Sequence, residues 1–177
     1  MSTTAEQLTK GGSWLIDEVE ASSVMTPEQL SEEHRLIGQT ATEFIVGEVM
    51  PVKDRLEQKD WALNRELLAK CGSLGLLGTN VPEEYGGVDL DKIATLVVSE
   101  NIATYSSFSA TFGAQANLCI LPIYMFGTEE QKKKYLPGLV SGQQVGAYCL
   151  SESGSGSDSL NAKTRAMRQP DGSFILS

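Results

Sequence analysis

Apolar residues recur at helical spacing through most of the chain and give way to strand-like alternation near its end. Ile37, Ala41, Phe44, Ile45 and Val49 make a first helical stripe. Its start is predicted at Thr26, Pro27 and Gln29. Threonine can cap, proline suits the first helical position, and a glutamine three residues after the cap completes a capping box. Pro51, which has no amide hydrogen to donate, predicts an end or a kink. Trp61, Leu63, Leu67 and Leu68 mark a second helix, which runs into the glycine-punctuated CGSLGLLG (71–78). VPEEYGG (81–87) reads as a loop by its proline and paired glycines. Asp89 is placed to cap a helix carrying Ile93, Leu96, Val97 and Ile102. Ser106 or Ser107 begins another, rich in small residues, through Phe108, Phe112 and Leu118. Thr128, Glu129, Glu130 and Gln131 form a second capping box, opening a short helix. Acids stand at its start and Lys132, Lys133 and Lys134 towards its end, the order that the helix dipole favours.

Beyond Gly142 the texture changes. β-formers and alternation appear at 145–150, 164–168 and 174–176. Pro170, Asp171 and Gly172 are a turn between the last two segments, which predicts a hairpin. The expected fold is mainly α: an N-terminal helical domain over 26–142, then the opening strands of a β domain over 143–177, with a strand still in progress at Ser177. A weakly patterned tail, 1–25, precedes them. Its apolar Trp14, Leu15 and Ile16 are expected to dock on the body. No internal repeat or low-complexity run appears.

At 177 residues the chain can bury one good core, or one domain and part of a second. The net charge of −9 is gathered early: residues 1–60 carry 12 acids against 5 bases. No basic stripe exists to neutralise nucleic-acid phosphates, so a nucleic-acid partner is excluded. Cys71, Cys119 and Cys149 lie far apart with one histidine in the whole chain, a set without metal-ligand spacing. Reduced thiols and a cytoplasmic protein are the simplest reading. The start MSTTAEQLTKGG has neither an apolar signal core nor an Arg-rich transit pattern. The longest apolar run, LCILPIYMF (118–126), is too short to span a bilayer and is broken by Pro122.

Candidate chemistry concentrates in YCLSESGSGSD (148–158). An apolar extended approach (Val145, Ala147, Tyr148, Leu150) meets serines, an acid and two closely spaced glycines. Gly154 and Gly156 have no side chain to obstruct close approach to the backbone. Ser151, Ser155 and Ser157 can donate or accept hydrogen bonds. Such a turn can hold a flat, polar-edged ring and admit a phosphate-rich tail beside it. An ordinary flexible loop is the competing reading. No Gly-Lys-Ser/Thr follows, as a phosphate-binding P-loop requires, and Ser159 stands where a dinucleotide fingerprint has its third glycine.

The same string resembles the flavin loop of the acyl-CoA dehydrogenase family, whose usual form is L/V-[ST]-E-P-G-x-G-S-D. Leu150, Ser151, Glu152, Gly154, Gly156, Ser157 and Asp158 match, and Ser153 replaces the usual proline. VPEEYGG (81–87) and FGTEEQKKKYLPGLVSG (126–142) agree with the family in order and spacing, so the resemblance runs from about Thr26 to Ser177. It implies a β-barrel-like middle domain after the helices, FAD as cofactor, and α,β-dehydrogenation of a fatty acyl-CoA in β-oxidation. The electrons would pass to an electron-transfer flavoprotein or similar acceptor, within a homodimer or homotetramer. Carried over residue by residue, it implicates Tyr148, Leu150, Ser151, Gly156 and Ser157 in flavin binding, with Ser157 also touching the acyl-CoA. Without proline at 153 the turn is looser and flavin affinity is expected to fall.

Along SSFSATFGAQANL (106–118) the resemblance places the acyl chain beside Gly113 and Ala114, whose small size would leave a tunnel open. Close helix–helix packing is the alternative reading of these small residues. By the same resemblance VPEEYGG lies near the pocket mouth, with Glu83 and Glu84 as solvated acids. His34 is expected to be solvated or to cap a helix, and the three lysines to form a solvated face. The family's general base comes from a C-terminal helical domain absent here, so the 177 residues read as the N-terminal part of a longer enzyme, inactive alone. An acyl-CoA oxidase, another flavoenzyme of the superfamily, a cofactor-free helical interaction module, and a short subunit completed by a separate chain remain as alternatives.

Overall fold

The computed structural model describes residues 12–177. Residues 1–11 of the tail lie outside the described residues, as does the Trp14 side chain. Leu15 and Ile16, expected to dock, are exposed. Among the described residues seven α-helices precede a two-stranded sheet: α1 Glu32–Phe44, α2 Lys53–Glu57, α3 Trp61–Ser73, α4 Lys92–Ile102, α5 Ser106–Gly113, α6 Leu121–Phe126 and α7 Glu129–Val140, then β1 Ala166–Arg168 and β2 Phe174–Leu176. Among the described residues no helix is long and apolar enough to cross a membrane.

The expected capping box at Thr26 forms, with the Thr26 amide donating to Gln29 Oε1 at 3.0 Å. It starts only a 3-10 turn, Pro27–Gln29. The α-helix begins later, because Ser31 supplies the working cap: its Oγ accepts the His34 amide at 3.1 Å. The His34 ring completes this cap by accepting the Ser31 amide on Nδ1 at 3.2 Å. Pro51 does not end the path. Helix α1 continues through a π-helical stretch, Ile45–Val49, and a 3-10 turn, Met50–Val52, into α2. Wider and tighter turns absorb the missing amide without a reversal of direction.

Helix α1 packs mainly on α4. The two approach closely at Gly38, where an added Cβ would lie 2.7 Å from Val97 Cγ1. The cap of α4 is Asp91, which accepts the Ala94 amide at 3.0 Å, and not Asp89 as its sequence position suggested. Asp89 sits at φ 59°, in the turn that leads into the cap. The shift also rotates the buried face. Ala94, Val98 and Ile102 face the core, whereas Leu96 is 69% exposed. The shared core runs from Ala41, Phe44 and Ile45 of the first helical path through Leu67 and Leu68 of α3 to Leu136 and Val140 of α7. The rings of Phe44 and Phe108 meet in it with centroids 5.7 Å apart.

The second capping box forms as expected at the start of α7. Thr128 N donates to Gln131 Oε1 at 2.8 Å, and Gln131 N to Thr128 Oγ1 at 3.2 Å. The helix is longer than its lysines implied, extending to Val140 with Pro137 inside it. Lys132 therefore lies near the beginning and pairs with Glu129 at 3.1 Å. The predicted hairpin is present: Ala166 pairs with Leu176 and Arg168 with Phe174, antiparallel, and Gly172 takes φ +84° in the turn. Residues 145–150, strand-like by alternation, form no strand and pair with none among the described residues.

Candidate functional site

The candidate loop is set in place by the turn that leaves α7. Gly142 adopts φ +71°, and an added Cβ would lie 2.4 Å from the Leu68 carbonyl oxygen of α3. The chain therefore presses directly on α3 before it reverses. Gln144 N then donates to the Gly138 carbonyl at 2.9 Å. At Gly146 the backbone lies against Cys119, whose Cβ would be 2.6 Å from an added methyl group. Burial, with a smaller contribution from the neighbouring Cys149, pushes the Cys119 thiol up.

One buried side chain joins this exit to the small-residue helix. Helix α5 runs without interruption into a π-helical stretch, Ala114–Ile120, and Gln115 in it is 1% exposed. Its Nε2 donates to the carbonyls of Leu139 and Gln144, both at 2.8 Å, while its Oε1 accepts the Gly146 amide at 2.9 Å. Gly113, the last residue of α5, and Ala114, the first of the π-helical stretch, are half-buried immediately before it. A Cβ built on Gly113 meets nothing within 4 Å. At that position no neighbour among the described residues packs closely.

Beyond Gly146 the chain is exposed, including Tyr148, Leu150 and Ser151. It then closes a tight turn on itself. Glu152 N donates to the Ser155 carbonyl at 2.9 Å and Ser155 N to the Glu152 carbonyl at 3.1 Å. Ser155 is buried, with its Oγ donating to the Asp158 carbonyl at 2.7 Å. The Glu152 carboxylate reaches across to accept the amides of Lys163 at 2.7 Å and Thr164 at 2.9 Å. These amides hold its pKa below the usual carboxylate range, Lys163 first and then Thr164. Ser155 and Glu152 thus brace the loop from within. Gly154, Gly156 and Ser157 face outward, and an added Cβ at either glycine meets nothing within 4 Å. A flat ring needs such an unobstructed, hydrogen-bonding backbone edge, and the turn provides one.

A groove of about 200 Å³ between α3 and α5 is lined by Trp61, Asn64, Arg65, Leu68, Thr111 and Val145, and takes in none of the candidate residues. The 81–87 segment lies elsewhere, docked on α7. Tyr85 is buried and donates to Glu129 Oε2 at 2.6 Å, whereas Glu83 and Glu84 are exposed. His34 serves the α1 cap and contacts Asp91 Oδ1 through Nε2 at 2.9 Å, away from the loop. Sequence reasoning missed Gln115. The available signal was an amide side chain set among small residues in GAQA (113–116).

This is a helical bundle whose last helix leads into a braced, glycine-edged turn. A family model described as the acyl-CoA dehydrogenase N-terminal domain matches residues 31–143. The chain belongs to the acyl-CoA dehydrogenase family. A probable acyl-CoA dehydrogenase of Bacillus subtilis (strain 168) is 46% identical over 176 residues, covering 99% of this chain and 30% of that protein. The mitochondrial isovaleryl-CoA dehydrogenase of Bos taurus is 37% identical, covering 80% of this chain and 34% of its own length. Among solved structures, the acyl-CoA dehydrogenase of Bacillus anthracis complexed with FAD superposes with a TM-score of 0.88 at 47% identity, over 95% of this chain and 29% of that one. The chain thus spans about a third of the length of the relatives it matches.

Proposed function

We propose that the protein binds FAD at the 148–158 loop and serves in the α,β-dehydrogenation of an acyl-CoA thioester. One observation carries the reading. The loop keeps an open backbone edge at Gly154 and Gly156 while its interior is braced by Ser155 and Glu152. It does so in a fold shared with an FAD-complexed enzyme. FAD, when bound, supplies the acceptor for a hydride from the substrate β-carbon.

In this proposal Tyr148 and Leu150 bring apolar surface to the ring, and Ser151, Gly156 and Ser157 hold its polar edge. Ser157 also reaches the acyl-CoA. Gly113 and Ala114 leave room for the acyl chain, the space above Gly113 being open. The Glu152 carboxylate is committed to two backbone amides, so the general base that takes the α-proton is assigned outside the described residues. Straight-chain fatty acyl-CoA is the proposed substrate class, an electron-transfer flavoprotein the proposed acceptor, and a homodimer or homotetramer the proposed assembly. The helical domain is assigned to 26–142 and the start of the β domain to 143–177.

The test is the visible absorption spectrum of the protein as its gene encodes it. Flavin bands that bleach on anaerobic addition of a straight-chain acyl-CoA are expected. Bleaching by a branched acyl-CoA alone would move the substrate class. Peroxide release in air without an added acceptor would make the protein an oxidase. Absence of flavin, even after FAD is added, would overturn the reading in favour of a cofactor-free helical module.

A further inference from the structure

Gln115 is nearly fully buried and uses both ends of its amide. One donor bond reaches Leu139 in the last turn of α7; the other donor bond and the acceptor bond reach Gln144 and Gly146, in the segment that links α7 to the 148–158 loop. This segment has no sheet partner among the described residues to hold it. Its alignment rests on the Gly142 turn, the close contact of Gly146 with Cys119, and Gln115. The side chain is also delivered unusually, from a π-helical stretch. Such a stretch carries an extra residue per turn and often marks a functional position in an otherwise regular helix.

We infer that Gln115 is a positioning residue for the cofactor loop, fixing the height at which the chain leaves the bundle and so the placement of the backbone edge at 151–157. The same side chain follows Gly113 and Ala114 directly, so it couples the helix proposed to line the acyl chain to the loop proposed to hold the flavin. The inference rests on the flavin reading for its functional meaning, but its mechanical content stands on the hydrogen bonds alone. A leucine at 115 keeps the volume approximately and removes all three bonds. The Gln144 carbonyl and the Gly146 amide then lack this partner, which costs free energy, while the Leu139 carbonyl keeps the Gly142 amide at 3.1 Å. A glutamate retains an acceptor for Gly146 but sets a carboxylate against two carbonyl oxygens. Only its protonated form can donate to one of them.

The experiment compares Gln115→Leu and Gln115→Glu with a core control, Val49→Ala, in the protein as its gene encodes it. Val49 is buried in the core, in the stretch Ile45–Val49. Two readouts are taken: amide hydrogen exchange at Gly146 and across 147–158 without added FAD, and the Kd for FAD with the flavin absorption spectrum. Gln115→Leu is expected to speed exchange of the Gly146 amide and the loop amides, to weaken FAD on the order of tenfold, and to shift the flavin bands. Val49→Ala is expected to lower overall stability while leaving both loop readouts within about twofold. Gln115→Glu is expected to recover part of the FAD affinity as pH falls, a dependence that Gln115→Leu lacks. Loop exchange in Gln115→Leu equal to wild type, or equally accelerated in Val49→Ala, would overturn the inference. A wild-type protein that takes up no FAD would instead defeat the flavin reading, and the exchange data would still decide the role of Gln115.

Discussion

Replacing Gly87 with alanine tests the packing logic of the 78–90 segment most severely. The new Cβ would stand 1.8 Å from the Val81 carbonyl oxygen and 2.5 Å from its carbonyl carbon, against the 3.4 Å at which ordinary contact begins. These are backbone atoms and no rotamer change can relieve the clash. The segment must open, and the bond from the Asp89 amide to the Val81 carbonyl, 3.0 Å long, opens with it. Overpacking costs about 1–3 kcal/mol, and a lost backbone bond adds about 1 kcal/mol. A total near 3 kcal/mol lowers the protection of the Val88, Asp89 and Leu90 amides about 100-fold. These amides donate to Gly78, Val81 and Thr79. Native-state hydrogen exchange measures this loss directly. Two neighbouring substitutions calibrate the result. Gly86 has φ +87° but an added Cβ lies 3.9 Å from Pro137 Cα, so Gly86→Ala costs only the left-handed strain, about 1–2 kcal/mol. Gly113→Ala meets no atom within 4 Å and sits at the end of a helix that continues unbroken, so it stabilises by up to about 1 kcal/mol. Gly87→Ala within threefold of wild-type protection, or Gly113→Ala less stable than wild type, would refute the reasoning.

The Tyr85–Glu129 bond sets stability at both ends of the pH range. Accepting the Tyr85 hydrogen bond and then that of Lys132 holds Glu129 below its usual range, and the same bond, with burial, pushes Tyr85 up to about 12. The Glu129 contribution is complete above the ordinary carboxylate pKa and is lost as pH falls through its lowered folded value. The Tyr85 contribution is complete below the ordinary tyrosine pKa of about 10 and is lost as pH rises towards 12. Urea midpoints across pH should show both losses in wild type. Tyr85→Phe should shrink both losses, leaving on the alkaline side the share of Tyr105, whose pKa the Glu57 hydrogen bond also raises, and an unchanged profile would exclude the pair as a source. Two aspartates in one turn should respond with opposite signs. Asp91→Ala loses the α4 cap, costing about 1 kcal/mol, whereas Asp89→Gly relieves a φ of 59° and gains up to about 1 kcal/mol. Equal signs in denaturant unfolding would show that the cap assignment is mistaken.

The capping box of α7 was legible because it is local: Thr128 and Gln131 bond each other whatever the rest of the molecule does. The box at Thr26 was equally legible and yet misplaced the helix. Ser31 and His34 build a competing cap five residues on, using an imidazole nitrogen in the part usually taken by glutamate or glutamine. A reading that looks for Glu or Gln passes over it. Asp89 and Asp91 present the same difficulty, since both precede an apolar run and side-chain chemistry alone does not separate them. The loop geometry decides: bonds from Asp89 to Val81 and from Leu90 to Thr79 hold the preceding turn, so the helix starts at Lys92. The hairpin 166–176 followed from a turn with Gly172 at positive φ, again a local signal.

Alternation at 145–150 is met by no strand pairing among the described residues, because a strand pattern reports a preference for extension and says nothing about the presence of a neighbour. What holds this segment is a side chain from a helix about thirty residues earlier in the chain. Gln115 occupies a position that helical periodicity assigns to the core, and a polar residue there reads as an imperfection in the stripe. Buried amides are tolerated only where each polar atom finds a partner, so a buried glutamine among small residues, as in GAQA (113–116), implies backbone that cannot satisfy itself and must come to the helix for its bonds. The segment 139–146 is that backbone: it leaves a helix, turns through a left-handed glycine and starts an extended path before any strand pairs with it. The unpaired polar groups of the exit and the unexplained glutamine of the helix answer each other, and their meeting point lies between the two features on which a flavin-dependent chemistry would depend.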